Sequence, residues 1–239
     1  MRHWKHAPHS AVSDIIWWPL RQTFAYDAPR TQVAARPTIG RLTKVQRDTV
    51  SRVINNVIRQ AAENFAASLS AFYPSYGRNG LNESNLTYQV AKAFEARSNA
   101  HAFMEVPFLN RITRRYEYRI DCMLFDDQQV LFVEGKRLFT PEKAEQLRID
   151  YQRMKVENLA PVLEKFNPSH ARTRSVYRVI LAETWQKKTA HWWKMKDSSR
   201  VWDNSWLPEQ RGVVEVKTFD NDNTLYWLYA YEQLQFPAP

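Results

Sequence analysis

Apolar residues recur every three to four positions from Thr43 to Phe72, where Val45, Val50, Val53, Ile54, Val57, Ile58, Ala61, Ala62, Phe65 and Leu69 form one stripe. That period predicts a long amphipathic helix, packed on the core or against a second copy. A turn-rich break follows at Tyr73–Leu81, with Pro74, Gly77 and Asn79–Gly80. It divides an N-terminal arm and helix, residues 1–80, from an α/β domain, residues 81–239. Within the arm, residues 1–40 lack a clear period, and a short helix is expected near Ser10–Leu20.

After the break, Asn82–Arg97 reads as a helix with Leu86, Val90, Ala93 and Phe94 on one face and Asn82 as its cap. Three strand-like runs come next, Ala102–Leu109, Tyr116–Phe125 and Gln129–Gly135. A helix opened by Thr140–Pro141 turns Ala144, Leu147, Tyr151 and Met154 inward, and Ser175–Thr184 is another strand. The order is α-β-β-β-α-β. Gly212–Phe219 and Thr224–Glu232 then predict a C-terminal hairpin across Asp220–Asn223.

A tight loop at Asp127–Gln128 makes Tyr118–Phe125 and Gln129–Gly135 a hairpin in which Asp121 lies opposite Glu134. Met123, Phe125, Val130 and Phe132 occupy one face and Cys122, Leu124, Leu131 and Val133 the other, as in a central strand. Two carboxylates at about 5 Å in such surroundings repel unless a cation lies between them. A divalent Mg²⁺ or Mn²⁺ fits, because carboxylates bind it while leaving positions for water and phosphate oxygens. Lys136, on the face of Glu134, is then suited to serve a metal-bound water and the charge growing on a phosphate.

The residues Asp121, Glu134 and Lys136 in this spacing resemble the D…ExK signature of the PD-(D/E)xK nuclease superfamily. The resemblance covers residues 83–185. Ile120 stands where the family has its proline. It implies a restriction-endonuclease-like core with a central mixed sheet, carrying an N-terminal helical extension and a C-terminal hairpin. It further implies a Mg²⁺-dependent endonuclease, with metal held by Asp121, Glu134, the Gly135 carbonyl and Glu83 of the preceding helix. Glu105 on the first strand competes for the place of an additional ligand, and Gln146 is an additional contact from the following helix, whose polar stripe is Lys143, Gln146, Asp150 and Arg153. Gln146 and Tyr151 are one residue too far apart for the Gln-x-x-x-Tyr motif of RecB-like members. A second Glu-x-Lys, Glu215–Lys217, follows ordinary strand alternation and its upstream Asp203 lies in a loop-like stretch.

Composition sharpens the partner. The 239 residues carry a formal charge of +9, 44% apolar and 13% aromatic residues, which suits a globular protein with a polyanionic partner. Arg111, Arg114, Arg115 and Arg119 surround the turn into the hairpin and Arg137 follows Lys136, an arrangement suited to phosphate contacts. DNA is the favoured nucleic acid. Trp192–Trp193 among lysines serve either base stacking or packing, and the long helix and the Trp-rich stretch are the candidate surfaces for a homodimer or protein partner. His3, His6 and His9 read as surface histidines. A single cysteine, Cys122, excludes an internal disulfide and multi-cysteine zinc sites, and the short apolar run Ile15–Leu20 points to a cytoplasmic chain with no membrane partner. No glycine pattern supports a dinucleotide or P-loop site. A catalytically inactive nucleic-acid-binding or assembly protein on the same fold is the alternative.

Overall fold

The computed structural model describes residues 44–72, 82–109, 113, 115–166, 174–195, 203–219 and 222–236. The expected helix near residues 10–20, the three N-terminal histidines, Arg111 and Arg114 lie outside them. Among the described residues, five helices and six strands form a mixed α/β structure around one mixed sheet.

The first helix, α1 (Lys44–Ala71), follows its predicted stripe, with Val50, Ile54, Val57, Ile58, Ala61, Ala62, Phe65 and Leu69 all buried. They pack on one face of the sheet, and Phe65 stacks on Trp227 with ring centroids 5.3 Å apart. The stripe is therefore covered within the chain and is not an open seam for a second copy. The turn-rich break at residues 73–81 lies outside the described residues, and the helices on either side of it contribute to one core. Helix α2 (Glu83–Glu95) opens on Asn82, whose side chain accepts from the Ser84 N–H, and buries Leu86, Val90, Ala93 and Phe94 in the same core.

Strands β1 (His101–Leu109), β2 (Tyr116–Phe125) and β3 (Gln129–Arg137) form an antiparallel meander. Partners Cys122↔Val133 through Phe125↔Val130 reproduce the expected hairpin register. Asp126 makes the turn: its carboxylate accepts the N–H groups of Gln128 at 2.8 Å and Gln129 at 3.0 Å and pairs with Arg97 at 3.0 Å. The chain then crosses by α3 (Pro141–Arg153) and α4 (Val156–Leu163) to β4 (Ser175–Thr184), which pairs parallel to β3 along its whole length. After α5 (Lys187–Lys194), β5 (Gln210–Thr218) and β6 (Thr224–Gln233) complete the order β1-β2-β3-β4-β6-β5.

Both sheet faces are covered. Cys122, Leu124, Leu131, Val133, Val179 and Leu181 meet α1 and α2, while Met123, Val130, Phe132, Ile180 and Ala182 meet α3, α4 and α5. Of the two uses open to the tryptophan pair, packing is the one observed, and β5 departs from its expected alternation. Trp192 and Trp193 are buried against each other and the sheet, so this pair offers no exposed rings to a base or a partner. A bulge between Glu215 and Lys217 breaks the alternation of β5, and Lys217 turns back to donate to Ser70 of α1 at 2.6 Å. None of the described helices is long and apolar enough to cross a membrane.

Gly135 lets α2 approach β3, since a Cβ there would lie 2.8 Å from Thr87 Cγ2. Gly135→Ala should lose about 1–3 kcal/mol in denaturant unfolding. Adding Thr87→Ser, which removes that methyl and keeps the hydroxyl, should recover most of the loss. A fully stable single variant would contradict the close approach.

Candidate active site

Alternation along β2 fails at one place. Ile120 belongs to the core under α3 together with Met123, although Cys122 and Leu124 belong to the core under α2. The opposite strand is distorted at the same level. Pairs Met104↔Cys122 and Val106↔Ile120 bracket Glu105 and Asp121, which are not themselves paired, and Glu105 has a φ of 54°. A left-handed glutamate costs on the order of 1–2 kcal/mol, so the surrounding pairing must impose it. The kink moves Asp121 out of regular alternation.

Asp121 consequently meets the end of β3. Its Oδ2 accepts the Gly135 N–H at 2.7 Å, and its carboxyl is hydrogen-bonded to that of Glu134. Burial raises the Asp121 pKa despite the Gly135 N–H and the nearby Lys136 charge. Glu134 is 8% exposed, and burial followed by the charges of Asp121 and Asp150 pushes its carboxyl up to about 9. The two therefore share a proton at neutral pH in the absence of a cation.

Lys136 extends between the two helices that flank β3. Its Nζ lies 3.2 Å from Asp150 Oδ2 of α3 and 4.0 Å from Glu83 Oε2 of α2. Burial pulls its pKa down, but the charges of Asp150 and Glu83 prevail and the net shift is upward. Glu83 also accepts the Arg137 N–H at 3.1 Å, tying the first turn of α2 to the end of β3. Asp150 accepts from Arg153 at 2.8 Å through its other oxygen.

Asp121, Glu134, Gly135, Lys136 and Glu83 thus come together at one end of the hairpin. Glu105 is exposed, and its charge acts on Asp121. Gln146 is exposed and accepts from Lys143 at 3.1 Å on its own helix. Arg137 turns to buried Glu183, 3.5 Å away, and stacks over Phe139, so its guanidinium is engaged inside the fold. Arg115 and Arg119 are exposed. Asp150 is the participant that pattern reading left unassigned. Its signal was an acidic residue on the polar stripe of the helix that follows Glu-x-Lys and must pack back over β3.

The oxygen-only donors Asp121, Glu134 and the Gly135 carbonyl suit a hard divalent cation, and the shared proton marks the place where such a cation would compete. Among the described residues, no three His, Cys, Asp or Glu side chains already form a ligand cluster. No family model, no curated protein and no solved structure matches the chain.

The raised acid has a definite pH consequence. Folded Glu134 keeps a proton that the unfolded chain releases above its ordinary value of 4.5, so stability falls as pH rises from there towards 9. In EDTA, unfolding free energy should decline through this window by up to about 1.4 kcal/mol per pH unit. Glu134→Gln should flatten the slope; an equal slope in that variant would assign the proton elsewhere.

Proposed function

We propose that the chain is a Mg²⁺- or Mn²⁺-dependent nuclease that hydrolyses phosphodiester bonds, with DNA as substrate, on a restriction-endonuclease-like core. The observation that carries this reading is the convergence of Asp121, Glu134 and Lys136 at the end of a buried hairpin, within an α-β-β-β core whose third strand runs parallel to β4. The divalent ion would neutralise the carboxylates, polarise the phosphate and acidify a water. Asp121 and Glu134 would hold it, with the Gly135 carbonyl and Glu83 beside them. Lys136 would orient the attacking water and offset charge growing on the phosphate. Because Asp150 and Glu83 keep that amine protonated, its part is electrostatic rather than that of a general base. The exposed Arg115 and Arg119 would contact the backbone phosphates.

A second reading has one observation in its favour. Lys136 already has a carboxylate partner in Asp150 at 3.2 Å, as expected for a structural cluster in an inactive nucleic-acid-binding or assembly protein. Metal response separates the two.

Asp121→Ala, Glu134→Ala and Lys136→Ala should each lower Mg²⁺-dependent cleavage of plasmid or single-stranded DNA by at least about 100-fold, whereas Lys217→Ala should leave it nearly unchanged. Asp121→Asn should melt in EDTA at or above the wild-type temperature and gain much less on adding Mg²⁺. A marked fall in the EDTA melting temperature with an unchanged metal response would favour the structural cluster.

A further inference from the structure

Beyond the acidic cluster, the first half of β2 carries a second kind of chemistry. Tyr116 is 60% exposed and Tyr118 36% exposed, on the half of β2 that pairs with β1 and runs beyond the pairing with β3. Each already has a cation over one face: Lys165 Nζ, in the turn after α4, lies 5.6 Å from the Tyr116 centroid, and Arg153 Cζ, at the end of α3, lies 4.9 Å from that of Tyr118. Ring area remains in solvent beside the cation. Arg119 on the same strand and Arg115 just before it are exposed.

This strip is joined to the site by direct contacts. Asp150 bonds Lys136 through one oxygen and Arg153 through the other, and Arg153 covers Tyr118. Tyr116 lies five positions before Asp121, or about 17 Å along the strand. Cations beside open aromatic rings suit a polyanion whose bases are unpaired, since phosphates meet the cations and free base faces meet the rings. Duplex DNA offers the phosphates without the base faces.

We infer that Tyr116 and Tyr118, with Arg153 and Lys165, form a track that binds single-stranded DNA and leads it to Lys136. The inference rests on the proposed nuclease reading for its choice of DNA, and it concerns binding, which needs no cleavage. In EDTA, anisotropy of labelled oligothymidylate of about 20 nucleotides with the full chain should show an affinity loss of about tenfold or more in Tyr116→Ala/Tyr118→Ala. Duplex of equal length should lose clearly less, and Tyr116→Phe/Tyr118→Phe should stay near wild type. Tyr116→Ala alone, at the more exposed ring, should give part of the same selective loss even where the double variant unfolds. The track is overturned by a loss on oligothymidylate no larger than that on duplex, by wild-type protein that does not bind oligothymidylate, or by tighter binding of oligouridylate. Should Asp121→Asn leave cleavage intact while the tyrosine effect holds, the nuclease site would be wrong and the track would stand.

Discussion

Two carboxyl groups held together inside a sheet with apolar layers on both sides are the constraint on which the rest of this structure turns. Like charges in such a place repel, and water is too scarce to screen them. Raising Glu134 from 4.5 to about 9 corresponds to roughly 6 kcal/mol of preference for the protonated form, comparable to the whole stability of many domains. A fold that keeps both groups must either hold a proton between them or admit a cation. The surrounding features follow from this choice. The Gly135 N–H stabilises Asp121, the kink at Glu105 presents it, and the bare Cα of Gly135 lets α2 come close.

Balance also requires that the nearby ammonium be held by something else. Were Lys136 to lie between Asp121 and Glu134, it would quench the very charges a divalent cation needs. Asp150 draws it towards α3 and leaves the two carboxyls to each other. The same carboxylate anchors Arg153, which places a cation over Tyr118. One aspartate on α3 thus sets both the position of the lysine and the start of the basic, aromatic strip.

Most of the fold was legible because its elements are long and their periods clear. The hairpin register was fixed by alternation on either side of Asp126, and both long helices announced their apolar faces. The short helices α4 and α5 were not, since eight residues give barely two turns, and Pro161 interrupts the propensity of α4. The bulge in β5 was missed because one extra residue leaves no mark on a run such as Val213–Val216. The carboxyl pair and Lys136 could be read from position alone. Asp150, the left-handed Glu105 and the inward turn of Arg137 could not, because each depends on how a neighbouring element packs back, a tertiary effect without a local period.

The end of β3 shows how two adjacent basic residues are given different work by strand geometry. Lys136 reaches α3, whereas Arg137, the next residue, meets Glu183, its partner across the parallel ladder of β4. Glu183 is 2% exposed, and burial opposed by Arg137 leaves its carboxyl near 7. Its own partner on β6 is the fully buried Trp227, against which Phe65 of α1 stacks. The strand end is therefore fastened sideways through β4 and β6 to α1, as well as to α2 through Glu83 and to α3 through Asp150. Catalytic geometry tolerates only about half an ångström of looseness, so a lysine with no such supports would be a poor site for chemistry. The number of elements that converge on these two residues is what a held lysine requires.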